Sequence, residues 1–301
     1  MTDKEVLVRY LEGTPIRKLA LQLRTSKSRI QRIIYKTLKQ VPNSNHVSEL
    51  VCKYFCGVLI VDGKYLHVKG HEKKIPLLWG IDYQSHDILV HQLAPSENYQ
   101  AYFLFFKQLK ILNYPLRTLV CDECESLIFA AQFHYPKVKV QICTNHYKEG
   151  IRRMLKSRTT PEHEHFIKQI ECLFRQKTLG LYCRYARKLL REHSDNELYR
   201  KILFDLNKKH EYLIRWLIDK KVPSTSNLIE LYNSHLEARV RSMKGFESFY
   251  HAELWLNAYV MNRRLSRFSD CSRKFKHLNG KCSLSFTAME NAPKISLLKR
   301  V

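Results

Sequence analysis

The sequence predicts an α/β protein: a mixed five-stranded sheet that carries an all-helical insertion and follows an all-α N-terminal domain. The sheet is predicted by the apolar runs that end at Asp62 and Asp122, because runs without polar alternation are typical of strands buried on both faces. The helical parts are predicted by apolar residues at helical spacing in residues 4–40 and again in 149–222. A chain of 301 residues is long enough for two or three domains.

The composition indicates a polyanionic partner. Lys and Arg number 52 against 28 Asp and Glu, a formal net charge of +24, in a chain that is 45% hydrophobic and 11% aromatic. This favours a folded nucleic-acid-binding protein over a disordered basic tail, although a membrane-surface or ribosomal protein has a similar charge. The chain shows nine cysteines, no signal peptide and no apolar run of transmembrane length. We therefore expect reduced thiols, no membrane partner and a cytoplasmic, nucleoid-associated protein.

Residues 1–45 are predicted to form three short helices, which we interpret as a helix-turn-helix DNA-binding domain. Thr25 and Ser26 form a tight polar turn that caps the third helix, as in that motif. A generic basic three-helix bundle would show the same pattern and stays open as an alternative. The outer face of the third helix carries residues that can contact base edges or phosphates: Lys27, Arg29, Gln31 and Arg32.

Residues 46–148 change to the periodicity of strands and are predicted to form the first part of the core. The strand that ends at Asp62 is followed after short connections by strands at 75–81 and 87–93, which predicts an antiparallel meander. A helix, the strand before Asp122, a second helix and a fifth strand complete the order βββαβαβ. This is the ribonuclease-H-like arrangement. In it the first and fourth strands are parallel neighbours, so we expect their two aspartates to lie close together.

The rest of the chain is predicted to be helical until its last part. Residues 149–222 form a basic all-helical insertion, residues 223–267 return to the core as C-terminal helices, and residues 268–301 are predicted to be a loosely ordered basic tail. Four arginines in the insertion and in the first C-terminal helix are candidates for DNA contact: Arg152, Arg153, Arg239 and Arg241.

Asp62 and Asp122 predict a site for divalent cations, because two neighbouring carboxylates repel each other unless a cation lies between them. Oxygen ligands suit Mg²⁺ or Mn²⁺, and two such ions about 4 Å apart can activate a water or a 3′-hydroxyl for phosphodiester displacement. A third carboxylate is needed, and Glu230, early in the first helix after the insertion, is the best-placed candidate. Alternatively, Asn227 and Glu230 form a capping box at the start of that helix.

The order and spacing of these residues resemble the mutator-type (MULE-like) superfamily of DDE transposases. The resemblance covers about residues 55–265. The segments that carry it are Val61–Gly63, Leu78–Asp82, Ser96–Glu97, Cys121–Ile128, Tyr135–Pro136, Gln141–His146, and Ser226–Asn233 with Arg239. It implies that Asp62, Asp122 and Glu230 hold two Mg²⁺ or Mn²⁺ ions and catalyse DNA cleavage and strand transfer. It also implies an accessory pair, Cys143 and His146.

The resemblance further implies the partners. These are the double-stranded DNA of the terminal inverted repeats and of the target, bound by a homodimer or higher oligomer that assembles on DNA. Two alternatives remain: a ribonuclease-H-like nuclease or resolvase without strand transfer, and a decayed or domesticated helix-turn-helix DNA-binding protein. Glu123 keeps the latter open, because the family often has glycine after the second aspartate and a carboxylate there would crowd the metal. A serine or tyrosine recombinase is disfavoured, because no Arg-His-Arg context surrounds a tyrosine.

Four residues also match the spacing of a structural zinc site: Cys121, Cys124, Cys143 and His146. Strand alternation argues against it, since it points Cys121 away from Asp122 and into the packed face of the sheet. Cys143 and His146 alternatively position DNA or support the metal-binding carboxylates. A buried thiol beside a hydrogen-bonded imidazole, without either role, also fits the sequence.

Overall fold

The computed structural model describes residues 1–156, 159–243 and 245–298. The strands are β1 Val58–Leu66, β2 Ile75–Asp82, β3 Ile88–Leu93, β4 Thr118–Cys121 and β5 Lys139–Ile142. The helices before β5 are α1 Asp3–Leu11, α2 Ile16–Gln22, α3 Lys27–Gln40, α4 Ser44–Val51, α5 Tyr99–Ile111 and α6 Glu125–His134. The helices after it are α7 Thr144–Met154, α8 Glu164–Phe174, α9 Leu179–Glu192, α10 Glu197–Lys208, α11 His210–Leu213, α12 Arg215–Ile218, α13 Asn227–Met243, α14 Phe249–Leu265 and α15 Leu284–Thr287. Short 3₁₀ helices span Pro161–His163 and Arg273–Leu278.

The five strands form one mixed sheet in the order β3-β2-β1-β4-β5. Strands β2 and β3 are antiparallel, whereas β4 is parallel to both β1 and β5. The predicted parallel pairing of the first and fourth strands is therefore confirmed. One predicted boundary is wrong, because β1 continues to Leu66 and Asp62 lies inside the strand. The change from apolar to polar residues comes just after Val61, one residue beyond the last β1 residue paired with β4, and the chain remains extended to Leu66.

The chain divides into two compact units. The first unit contains residues 1–57, 61–115 and 228 onward, and the second contains residues 58–60 and 116–227. Asp62 and Glu230 belong to the first unit, and Asp122, Cys143 and His146 belong to the second. No helix in the described parts of the chain is both long enough and apolar enough to cross a membrane.

A buried ion pair in the first unit joins segments that are far apart in sequence. Arg264 and Asp87 are both fully buried, and the guanidinium donates two hydrogen bonds of 2.8 and 2.9 Å to the carboxylate. Arg264 also donates to the carbonyl of Ser44, while the hydroxyls of Ser283 and Thr287 donate to Asp87. A buried charge without partners costs several kcal/mol, so each of these contacts constrains the chain segment that provides it.

Residues 268–298 belong to the folded first unit, so the loosely ordered tail that the sequence predicts there is wrong. Leu278 and Leu284 are buried, and isolated bridges pair Phe268 with Asn279 and Cys52 with Ala288. The hydroxyls of Ser283 and Thr287 in this segment donate to Asp87 of the buried ion pair. The last three residues of the predicted tail lie outside the described residues.

Helices α1, α2 and α3 lie where the sequence predicts three helices. On α3, Ile30 and Ile34 are buried. The Tyr35 ring stacks on the His251 ring with centroids 5.1 Å apart, and its hydroxyl donates to Glu247 over 2.9 Å. Helix α4 follows α3 closely, and the side chain of Asn43 accepts a hydrogen bond from the backbone N–H of His46 and so caps α4.

The second unit contains the helices of the predicted insertion. The sequence predicts one helix over residues 199–220, but the structure has three there, α10, α11 and α12. The break between α11 and α12 involves Gln141 on β5, which is fully buried. Its side chain donates to the carbonyl of Leu213 at 3.4 Å and accepts from the backbone N–H of Trp216 at 3.1 Å. These bonds replace helical hydrogen bonds between α11 and α12.

Candidate active site

In the first unit, both oxygens of Asp62 accept hydrogen bonds. Oδ1 accepts from the backbone N–H of Gly63 at 2.8 Å, and Oδ2 accepts from Nδ2 of Asn233 at 2.6 Å. The carbonyl oxygen of Asn233 accepts from Nε1 of Trp79 at 3.1 Å. An indole N–H can only donate, so the amide oxygen must face Trp79 and the NH₂ group must face Asp62. The donor and acceptor groups of Trp79, Asn233 and Asp62 therefore allow only this orientation of the amide.

Helix α13 runs along β1, so that helix residues four apart meet strand residues two apart. Asn233 contacts Asp62, and Glu237 accepts from the ammonium of Lys64 at 2.8 Å. Four helical residues rise about 6 Å and two strand residues about 6.6 Å, so the two elements stay in step. Glu230 lies three residues before Asn233 and therefore shares its face of α13.

The capping box that the sequence allows for Asn227 and Glu230 does not match the observed helix. A capping box requires its first residue to precede the helix, whereas Asn227 is the first residue of α13. The side-chain oxygen of Asn227 accepts instead from the amide of Asn145 at 2.9 Å. Glu230 is half-buried in the first turn of α13.

The carboxylate of Glu97 lies against Gly63, the residue after Asp62. The sequence indicates Glu97 only as part of the family resemblance. Glu97 accepts hydrogen bonds of 2.5 Å from the hydroxyls of Tyr65 and Tyr102. Its carboxylate covers the backbone of Gly63, where a Cβ atom would come within 3.1 Å of it. Glycine therefore lets this carboxylate approach the residue next to Asp62.

In the second unit, Asp122, Cys143 and His146 converge at the ends of β4 and β5. One ligand atom from each lies within 4.8 Å of the others. The imidazole Nδ1 of His146 is 2.6 Å from Oδ1 of Asp122. Hydrogen bonds to Asp122 and then to Cys143 raise the pKa of His146 to about 11. Cys143 is the residue immediately before α7, and His146 lies one helical turn after it. The two side chains therefore meet on the same face of the helix.

The Cys143 sulfur is fully buried and fixed in place. Burial alone would raise the pKa of the thiol, but hydrogen bonds from His146 and Ser226 outweigh it and lower that pKa. The backbone N–H of Ser226 lies 3.3 Å from the sulfur, and the N–H of Thr144 donates to the carbonyl of Ser224 at 2.9 Å. The segment that leads into α13 is thereby attached to the start of α7.

The family model described as "Transposase, Mutator family" matches residues 3–263 of the chain. The chain belongs to this family. The resemblance read from the sequence is therefore confirmed, and the protein is a transposase, an enzyme of nucleotidyl transfer that acts on DNA. Transposases of this kind typically use divalent metal ions. No curated protein matches the chain.

Glu123 of this transposase, where the resembling family often has glycine, has a partner in its own unit. Its carboxylate pairs with the ammonium of Lys209, which also lies 2.7 Å from Asp205. Asp205 in turn accepts from the hydroxyl of Tyr147 at 2.9 Å. The charge of Glu123 is thus compensated by a lysine of the helical insertion.

The four-residue zinc site that the spacing allows is not assembled. Within the described residues, the group of ligand atoms within 4.8 Å contains Asp122, Cys143 and His146, and neither Cys121 nor Cys124 belongs to it. Cys121 is fully buried at the end of β4, as strand alternation predicts. Asp122, which lies between Cys121 and Cys124 in the sequence, is the residue that joins Cys143 and His146 in this group.

The candidate DNA-contacting residues differ in their availability. Lys27, Arg29 and Arg32 are exposed on α3 and Gln31 is half-buried there, while Arg153 is exposed on α7. Arg241 on α13 is also exposed, and the remaining contacts of these arginines are with the protein itself. Arg152 lies 2.5 Å from Glu171, Arg239 donates to the carbonyl of His235 at 3.1 Å, and Arg241 lies 3.2 Å from Glu237.

Proposed function

We propose that this transposase cleaves and joins DNA by a DDE mechanism in which Asp62, Asp122 and Glu230 hold two Mg²⁺ or Mn²⁺ ions. The observation that supports this most is the 2.6 Å hydrogen bond between Asn233 and Asp62, because Glu230 shares the helix face of Asn233 one turn away. Asp122 is supported by the pairing of β1 with β4. Ile60 pairs with Val120, and each aspartate follows its paired residue by two positions.

The residues present fit magnesium or manganese. All three proposed ligands offer carboxylate oxygens, which these ions prefer. The hydrogen bonds that Asp62 accepts from Gly63 and Asn233 both come from neutral donors. When bound, the two ions would activate the attacking hydroxyl and stabilise the leaving oxygen. On the protein side, Asn233 and Gly63 orient Asp62, and His146 holds one oxygen of Asp122.

The fold of the sheet and of the N-terminal helices is part of this proposal. We infer that the sheet is a ribonuclease-H-like core and that α2 and α3 form a helix-turn-helix that binds the terminal inverted repeats. The exposed Lys27, Arg29 and Arg32 on α3 support this inference. Transposition requires that both DNA ends of the mobile element are processed together, so we infer a homodimer or higher oligomer on DNA.

The test is substitution of each acid by its neutral isostere: Asp62→Asn, Asp122→Asn and Glu230→Gln. Each is expected to lower Mg²⁺-dependent cleavage of an end-containing DNA by at least about 100-fold, since each removes a ligand of the reacting ions. DNA binding, measured without metal, should stay within about twofold of wild type. Each substitution removes a negative charge, which does not increase repulsion between the protein and the DNA phosphates. Glu237→Gln, two turns further along α13, is the matched control.

Two outcomes would overturn the proposal. Wild-type rates in the three variants would show that these acids do not hold the ions. A wild-type protein that binds ends but never cleaves with Mg²⁺ or Mn²⁺ would favour a domesticated DNA-binding protein. Pre-cleaved ends offered with a target plasmid separate the remaining alternative, because a nuclease or resolvase leaves them unjoined.

A further inference from the structure

The cluster of Asp122, Cys143 and His146 has donor atoms that suit a different metal from Mg²⁺. We propose that these three side chains bind one Zn²⁺ ion and that this ion withholds Asp122 from the cations of the reaction, so that Zn²⁺ inhibits the transposase. The inhibition rests on the proposed function, but the binding does not.

The geometry already approaches that of a zinc site. Zinc bonds of about 2.3 Å to sulfur and 2.0–2.2 Å to nitrogen and oxygen place tetrahedral ligands roughly 3.3–3.8 Å apart. The three ligand atoms lie within 4.8 Å of one another. Shifts of about 1 Å therefore suffice: the 2.6 Å distance between His146 Nδ1 and Asp122 Oδ1 lengthens, and a distance as long as 4.8 Å shortens.

The three residues also sit on elements that fix their spacing. Cys121 pairs with Ile142 across β4 and β5, and the N–H of Cys143 donates to the carbonyl of Cys121 at 2.8 Å. Asp122 and Cys143 thus follow paired strand residues directly. His146 lies one helical turn after Cys143 on α7. A site on such elements loses little conformational freedom when it binds an ion.

The donor set selects the metal. Thiolate and imidazole favour Zn²⁺, whereas Mg²⁺ requires oxygen ligands. The N–H of Ser226 points at the Cys143 sulfur and stabilises the thiolate that zinc requires. Three protein ligands leave a fourth position open for water or a DNA oxygen.

Binding is tested with Co²⁺, a spectroscopic substitute for Zn²⁺, on the full-length metal-free protein. We expect a thiolate-to-cobalt charge-transfer band that one equivalent of Zn²⁺ abolishes. Cys143→Ser should remove the band, and His146→Gln should weaken Co²⁺ binding at least tenfold. Cys172→Ser, which changes an exposed thiol on α8, should leave the spectrum unchanged.

A Co²⁺ spectrum without the charge-transfer band in the wild type would overturn the site and leave a hydrogen-bonded cluster that only positions Asp122. Loss of the band in Cys124→Ser as well would also overturn it, in favour of the larger cysteine site. Thermal unfolding of each variant checks that it is folded.

Inhibition is tested separately, as the ratio of Mg²⁺-dependent cleavage with and without one equivalent of Zn²⁺. We expect a fall of at least tenfold in the wild type and a much smaller fall in Cys143→Ser, whatever the basal rate of that variant. Equal ratios in the two proteins would overturn the competition for Asp122. If the wild type does not cleave with Mg²⁺ at all, the proposed function fails, and the cobalt spectra still decide the binding.

Discussion

The amide of Asn233 has one partner on each side, and its two ends cannot be exchanged. It is 9% exposed and lies between Trp79, which can only donate, and Asp62, whose carboxylate can only accept when ionised. A buried amide in this position does more than fill space. It sets the direction in which Asp62 presents its oxygens, and it joins β1, β2 and α13 through one side chain.

We predict that Asn233→Asp impairs cleavage more than DNA binding. The change would place two carboxylates at the 2.6 Å separation now occupied by an amide and a carboxylate, and two such groups cannot both be ionised at neutral pH. Asp62 would then share a proton and bind cations poorly. We expect cleavage to fall about 10–100-fold and the Mg²⁺ concentration for half-maximal cleavage to rise at least tenfold.

The same dependence can be measured without activity, as Mn²⁺ affinity by electron paramagnetic resonance. Ser234→Ala changes the exposed neighbour of Asn233 and serves as the control. Trp79→Phe removes the indole donor together with part of a buried ring and should give a smaller effect in the same direction. An Asn233→Asp variant with the Mg²⁺ dependence of wild type would show that the amide does not position Asp62.

On the scale of elements, the turn between β2 and β3 is fixed by the segment that follows α14. His86 in that turn is 7% exposed, and its ring lies 4.3 Å from that of Phe275 and 5.9 Å from that of Phe268. Its backbone carbonyl accepts from the hydroxyl of Tyr232 at 2.9 Å. The imidazole is therefore enclosed by residues far apart in sequence.

This enclosure predicts a loss of stability in mild acid. Burial, followed by the positive charges of Arg263, His277 and Lys274, lowers the pKa of His86 to about 4 from its ordinary 6.5. Between these two values the unfolded chain binds a proton that the folded chain does not, so the free energy of unfolding falls as pH falls. At pH 5 the loss from this group is about 2 kcal/mol.

We expect His86→Asn to remove this part of the pH dependence. Asparagine tolerates the left-handed backbone of this position, where φ is 57°. Urea unfolding at pH 7.5 and pH 5 measures the difference, with the exposed His71→Asn as control. If both variants keep the pH slope of wild type, the buried imidazole is not its source.

Elements were predicted well where the signal is local. The five strands follow from apolar runs, and α1 to α3 follow from helical spacing and capping residues. The break between α11 and α12 was missed because it depends on Gln141, which lies on β5 about seventy residues earlier. In the same way the acids of the candidate site could be proposed from strand positions and family resemblance. The Trp79–Asn233 bond could not, because it joins residues separated by 154 positions.

For the molecule as a whole, the count of 52 Lys and Arg residues overstates the number of cations available to DNA. Arg264 is fully buried against Asp87, Lys209 pairs with two acids, and Arg152 pairs with Glu171. Exposed cations such as Arg29 and Arg32 on α3 remain free to approach phosphates. The distribution of charge, more than its sum, decides which surface binds DNA.

We predict that end binding weakens steeply with salt and that α3 carries part of this dependence. Each cation that neutralises a phosphate releases counterions, so a protein with several such contacts loses about a thousandfold or more in affinity between roughly 50 and 200 mM salt. The double variant Arg29→Ala/Arg32→Ala should lower the slope of log affinity against log salt by about 2. Arg152→Ala should leave the slope unchanged, because its guanidinium pairs with Glu171. Fluorescence anisotropy across that salt range measures all three proteins. An affinity that stays constant with salt would contradict the electrostatic account, and a slope lowered by Arg152→Ala but not by the double variant would move the DNA-binding surface from α3 to the helical insertion.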